Sequence, residues 1–226
     1  MSGAPAVRAR RLVLFDFDGV IVAGDSFAAW LRQEGFRSPL RRLAAWLLTP
    51  VGVPLLAFPP TLSFGARTFV GAAVYRAAPL PQRASLDVWG RALGRRPGGV
   101  IGDGLAALRA HIGAGDRVFA VSGTESPLLR AALDELQVRG VEVMASELDL
   151  GGGCARVRRH CFGRAKVAAL AEAGGVPPWD MAYSDSPPDL PLLRHAREAV
   201  CVNWRSSDRP RAASAPGGTV RFIEWR

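Results

Sequence analysis

The chain has 226 residues, of which 49% are hydrophobic and 22% charged, which suits a packed globular core and excludes a disordered or fibrous protein. Its net charge of +9 favours an anionic partner. The 29 basic residues, however, are all arginine except Lys166 and lie in short scattered clusters without interleaved aromatics, so a nucleic-acid partner is not expected. Cys154, Cys161 and Cys201 match neither a disulfide framework nor a zinc pattern and fit a reducing compartment.

Residues 1–11 are basic and lack an apolar signal segment, so the chain is expected in the cytoplasm. Leu12-Val13-Leu14-Phe15 then reads as a strand buried on both faces, ending abruptly in Asp16-Phe17-Asp18-Gly19-Val20. Two aspartates at i and i+2 hold like charge close together, which a cation or a shared proton must offset. The plain alternative is a polar Asp-Gly turn. Ser26 to Leu31 reads as helix.

From Leu43 to Ala66 no residue is charged, and arginines flank the stretch on both sides. Its length would span a bilayer, but Pro50, Pro54, Pro59 and Pro60 argue against one straight transmembrane helix. Two readings stay open: a helical hairpin or interfacial helix on an anionic membrane, or the buried core of a helical subdomain.

Helix is expected from Thr68 to about Leu93, then a loop at Arg95-Arg96-Pro97-Gly98-Gly99, then helix from Gly102 to Ile112. Val118 to Thr124 repeats the opening pattern, an apolar strand ending in hydroxyls and glycine. Ser126 is the expected N-cap of the next helix, with Pro127 at its first position. Further strands are expected at Val141–Ala145, Met181–Asp185 and Ala199–Asn203, with a last one at Val220–Ile223. A hairpin turned by Gly151-Gly152-Gly153 and helices at Gly163–Ala173 and Leu190–Arg197 complete the pattern. Alternating strand and helix implies a parallel α/β sheet whose strand ends gather their polar residues at one edge.

That edge collects Asp16 and Asp18, Ser122 with the Gly123 amide, Lys166, and Asp185 with Asp189. Several carboxylates, one compact ammonium and hydroxyl donors suit a Mg²⁺ site that holds a phosphoryl group. The plain alternatives are a solvated helix face for Lys166 and a capped helix start for Asp185 and Asp189.

FDFDGV, VSGT, Lys166 and YSDSPPDLPLL, in this order, resemble the haloacid dehalogenase-like superfamily, and the last motif and the long insertion look like its phosphoserine-phosphatase-like branch. Within that branch the chain looks most like the phosphatidylglycerophosphatase C group, through Asp25-Ser26-Phe27 to Arg32, Arg37-Ser38-Pro39-Leu40, the proline-bearing apolar run and Cys161 to Leu170. Two positions depart from the superfamily pattern. Val20 stands where its phosphatases often have threonine, which keeps a mutase alternative open. Gly123-Thr124 stands where relatives often have Ala-Ser, with little effect expected.

The resemblance implies a Rossmann-like parallel sheet with an α-helical cap inserted after the first strand. Residues 1–23 and 99–226 would form the catalytic core and 24–98 the cap. It implies a Mg²⁺-dependent phosphatase with Asp16 as nucleophile and Asp18 as general acid and base. Mg²⁺ would be held by Asp16, Asp18 and Asp185 with Asp189 behind them, and the phosphoryl group by Ser122, Gly123 and Lys166. The substrate would be a phospholipid monoester such as phosphatidylglycerophosphate, or else a soluble phosphomonoester such as phosphoserine, a sugar phosphate or a nucleotide. A peripheral position on the inner membrane face goes with the lipid. A non-catalytic module that binds anionic lipid is the reading from another class. Oligomeric state has no sequence signal.

Overall fold

The computed structural model describes residues 10–34, 37–57, 79–149, 156–214 and 217–226. Seven strands form one sheet in the order β4-β3-β2-β1-β5-β6-β7. They are β1 (Leu12–Phe15), β2 (Arg117–Glu125), β3 (Val141–Asp149), β4 (Arg156–Arg159), β5 (Trp179–Ser184), β6 (Ala196–Val202) and β7 (Thr219–Ile223). Every pairing is parallel except that of β3 with β4.

The period of two along each strand divides the core between the two faces of the sheet. Val13, Phe15, Val118, Ala120, Met181 and Tyr183 belong to one buried cluster. Leu14, Phe119, Val121, Ala182 and Cys201 belong to the other. This double burial is why Leu12–Phe15 is apolar throughout, and the α/β expectation holds.

After β1 the chain forms α1 (Ser26–Gln33), α2 (Pro39–Ala57) and α3 (Pro79–Arg95). α1 starts at Asp25, whose side chain accepts a hydrogen bond from the Ala28 amide. Trp30 of α1 and Leu86 and Leu93 of α3 join the same buried cluster as Phe15 and Val118, so these helices share the sheet's core. The two ends of the insertion meet. Val22 bridges Val100, the Ala23 amide donates to the Gly99 carbonyl at 3.0 Å, and the Ile101 amide donates to the Ile21 carbonyl at 2.9 Å.

α2 continues past Pro50 and Pro54, so the uncharged stretch begins as one helix. Leu40, Leu43, Trp46 and Leu47 on it are between 49% and 70% exposed, so this part of the stretch is not buried core. Among the described residues no helix is long and apolar enough to cross a membrane. The rest of the stretch up to Ala66, the expected helix start at Thr68, Cys154 and the turn at Gly151-Gly152-Gly153 lie outside the described residues.

The remaining helices are α4 (Gly102–Gly113), α5 (Ser126–Glu135), α6 (Arg164–Glu172), α7 (Leu190–Leu193) and α8 (Arg209–Ala213). Three expectations need correction. Ser126 is the first residue of α5 rather than its cap, because β2 continues to Glu125, which pairs with Ser146. The helix expected from Leu190 to Arg197 stops at Leu193, because Ala196 already pairs with Trp179. The segment between β6 and β7, where no element was expected, contains α8. Cys161 and Cys201 are buried free thiols, and burial pushes them up to about 12 and about 11.

Candidate active site

The parallel register sets Phe15 level with Ala120 on one side and with Tyr183 on the other. Asp16 immediately after this level, and Ser122 and Asp185 just beyond Val121 and Ser184, therefore emerge together at the carboxyl edge, where ligands bind in open α/β sheets. They line a cleft of about 720 Å³ with Asp18, Gly123, Lys166 and Asp189. All seven residues singled out from the sequence are thus in one place.

Asp16 is 6% exposed and Lys166 2% exposed. The Lys166 ammonium, near the start of α6, sits 3.0 Å from Asp16 Oδ1 and 2.7 Å from Asp189 Oδ2. Lys166 is therefore buried between two carboxylates, and the solvated-face reading of it is wrong. Burial alone would lower its pKa, but Asp16 and Asp189 outweigh burial and hold it above the ordinary lysine value. The Ser184 hydroxyl donates to the same Asp189 Oδ2 at 2.9 Å. The Phe17 amide donates to Asp16 Oδ1 at 2.8 Å.

Burial raises Asp16 well above the usual carboxylate range; Lys166 opposes that rise, and Asp189 and Asp185 add to it. Burial likewise pushes Asp185 up to about 6. The edge is an anionic cluster with one internal cation, and a further cation would offset the remainder. Gly19 allows the two strand ends to close on each other. It has φ +72°, and a Cβ there would collide with the Asp185 carboxylate.

Among the described residues no three His, Cys, Asp or Glu side chains converge as a ready-made metal cluster. The donor set fits Mg²⁺ nonetheless. That ion takes one or two protein carboxylates and completes its shell with water and phosphate oxygens, and Asp16 and Asp185 supply two hard oxygen ligands at adjacent strand ends.

Asp18 is held by partners that the sequence reading did not assign. The Ser26 amide, at the start of α1, donates to Asp18 Oδ1 at 3.0 Å, and the Thr124 hydroxyl donates to Oδ2. Ser26 Oγ and Thr124 Oγ1 are 3.0 Å apart. Burial raises the Asp18 pKa, and these hydrogen bonds moderate the rise. Thr124 therefore holds an aspartate of the site through its hydroxyl. The only sequence signal was the second hydroxyl of VSGT. Ser122 Oγ accepts from the Thr124 amide at 3.0 Å, which fixes the turn of β2 into the cleft.

The profile of the haloacid dehalogenase-like hydrolases matches residues 13–194. Solved structures share the fold. A protein of unknown function from Bordetella pertussis Tohama I is 24% identical with a TM-score of 0.69, over 94% of this chain and 98% of that one. A cytosolic 5'-nucleotidase IIIB bound to cytidine is 12% identical with a TM-score of 0.66, over 94% and 80%. A substrate-bound phosphoserine phosphatase is 14% identical with a TM-score of 0.55, over 94% of both chains.

Proposed function

Since the chain belongs to the haloacid dehalogenase-like hydrolases, we propose that it is a phosphatase that cleaves phosphomonoesters through a phosphorylated Asp16. One observation supports this above the others: the buried contact of Lys166 with Asp16, beside an independently anchored Asp18. A carboxylate pinned by an ammonium and a backbone amide is positioned for attack, and the same ammonium offsets charge gathering on phosphoryl oxygens.

In the first step an Asp16 oxygen bonds to phosphorus, the ester P–O bond breaks, and the Asp18 carboxyl gives its proton to the leaving alkoxide. In the second, water attacks the acyl phosphate and loses its proton to Asp18, and the Asp16–phosphorus bond breaks to release phosphate. Burial favours the protonated form of Asp18 that the first step needs. Ser122 and the Gly123 amide face the cleft as donors for phosphoryl oxygens. Mg²⁺, held by Asp16, Asp185 and the Asp18 carbonyl with Asp189 behind, would supply electrostatic shielding of the phosphate. Residues 1–23 and 99–226 carry this chemistry, and 24–98 act as the cap.

The substrate class we propose is a phospholipid monoester, with phosphatidylglycerophosphate the example suggested by the sequence resemblance to phosphatidylglycerophosphatase C. Its support is the exposed row Leu40, Leu43, Trp46 and Leu47 beside Arg41 and Arg42, an apolar face next to positive charge that suits an anionic membrane surface. Phosphate release with Mg²⁺ from phosphatidylglycerophosphate in micelles, set beside phosphoserine and other soluble esters, tests both parts. Release from no ester would overturn the phosphatase; preference for a soluble ester would overturn the lipid.

A further inference from the structure

The two edges of the sheet differ in charge. Acids gather at the carboxyl edge, whereas a second cavity, of about 530 Å³, opens at the opposite, amino edge of β5, β6 and β7. Arg194, His195 and Arg197 line it, and among the described residues no acid does. The backbone around it is held in place. α7 stops at Leu193, and the chain turns through Arg194 and His195 into β6. The Trp179 amide donates to the His195 carbonyl at 3.2 Å, and the Gly218 amide to the Ala196 carbonyl at 3.1 Å. The buried Trp179 indole donates to the Leu192 carbonyl at 3.0 Å, and the His195 ring meets it edge-on with centroids 5.6 Å apart. Gly217 and Gly218 close the other side of the cavity. A Cβ at Gly217 would stand 2.7 Å from the Arg194 carbonyl oxygen, and one at Gly218 would collide with that of Arg197, so only glycine lets this segment lie flat against the turn.

The basic side chains here are exposed, and little within the chain offsets them. Neither the Arg194 guanidinium nor the His195 ring has a hydrogen-bond or ion-pair partner among the described residues. Arg197 Nε stands 3.8 Å from Asp180 Oδ1, and Asp180 commits its other oxygen to the Leu12 amide at 2.8 Å. Positive charge gathered on one cavity favours a bound anion. From this arrangement we propose that the amino-edge cavity is a second ligand site, and that it takes a phosphate dianion, either free or carried by an organic ester. Two arginines match the charge of a dianion, and each planar fork offers paired donors to a tetrahedral oxyanion. Pro177 and Pro178 supply a stiff apolar wall beside it. The site lies at the other end of β5 from Asp185, about 20 Å away by strand rise, and it does not depend on the phosphatase reading.

The test is titration calorimetry of the full chain with inorganic phosphate and with phenylphosphonate, a non-hydrolysable stand-in for an ester, in buffer free of other oxyanions. Without Mg²⁺ the acidic carboxyl edge repels both, so one anion per chain is expected, with a Kd on the order of 0.1–1 mM. Added Mg²⁺ should leave that Kd unchanged, and salt should weaken it several-fold. Arg194→Gln combined with Arg197→Gln should weaken binding by about tenfold or more, with no shift in melting temperature because both side chains are exposed. His195→Gln should weaken it by less. Tighter binding of phenylphosphonate would assign the site to a phosphorylated molecule, and tighter binding of phosphate to the free ion. No binding without Mg²⁺, undiminished binding in the double arginine variant, or equal displacement by chloride at the same concentration would overturn the site.

Discussion

The carboxyl edge of β1, β2 and β5 and the outer face of α2 break the usual inside–outside rule in opposite directions. At the edge, Asp16, Lys166 and Asp189 are charged groups at most 6% exposed. On α2, Trp46 and Leu47 are large apolar side chains that stand 70% and 62% in solvent. Buried charge is tolerated at the edge because each group has partners within the chain: Lys166 between two carboxylates, Asp189 on Ser184, Asp18 on Ser26 and Thr124. The exposed apolar face is the more informative irregularity, since monomeric surfaces rarely keep such contiguous patches without a use. One region finds most of its partners within the chain, and the other points outward.

The sharpest way to break the contrast is Asp16→Asn. It should lower phosphate release by about 10⁴-fold or more, measured as turnover, because no other group at the edge replaces the nucleophile. It should not lower the melting temperature, since it removes a buried charge from an acidic cluster. A melting temperature that fell with activity would mean that the edge is built for stability rather than chemistry.

Next in size is Lys166→Met. It leaves Asp16 and Asp189 buried without their cation, and a destabilisation on the order of 3–5 kcal/mol is expected by denaturant titration. Lys166→Arg should not restore activity, because the planar fork does not fit between the two carboxylates.

Glu125, buried at the end of β2, sharpens the comparison through pH. Burial pushes its pKa up from 4.5 to about 8, against a hydrogen bond from the Leu148 amide. Between those values the folded chain holds a proton that the unfolded chain has lost, so stability falls as pH rises from 4.5 towards about 8. Glu125→Gln should flatten that slope and gain on the order of 1–3 kcal/mol near pH 7 in thermal melts at a series of pH values.

Smaller still is Thr124→Val, which strips Asp18 and Ser26 of a buried partner and should cost about 1–3 kcal/mol of stability, with Thr124→Ser restoring most of it. Smallest in stability, though not in behaviour, is Trp46→Ser with Leu47→Ser. Melting should move by less than about 0.5 kcal/mol, while co-sedimentation with vesicles rich in anionic lipid should fall several-fold. Unchanged sedimentation would remove the membrane from the account of α2.

The edge was legible because strands buried on both faces carry apolar runs, so each run that stops at Asp16, Ser122 or Asp185 announces where polar side chains reach the cleft, although β2 itself continues to Glu125. Lys166 was legible as the lone lysine among arginines, although its burial between two acids was not. Ser26, Thr124 and Ser184 were not legible. Their value lies in hydroxyl and amide contacts between segments distant in sequence, which leave no periodic trace. The end of the helix after Leu190 was misread because local propensity continues through Arg194 and His195, whereas pairing of Ala196 with Trp179 takes the chain into the sheet. Composition could not choose between lipid and core for the uncharged stretch, since both solvents ask for the same side chains. The exposure of Leu43, Trp46 and Leu47 decides against core for that part of α2.

The bridge of Val22 to Val100 sets how this molecule can change over generations. Because the insertion leaves and re-enters at one point, its length can vary without pulling on Asp16 or Asp18, and each doubling of a loop costs only about 0.6 kcal/mol in closure entropy. On the proposed reading, new preferences for an alcohol would therefore be acquired by rewriting residues 24–98 while the carboxyl edge stays fixed. The limit on that freedom is the set Trp30, Leu86 and Leu93, which the sheet uses as part of its own interior. A replacement segment has to supply those three apolar plugs before it can offer a new wall to the cleft.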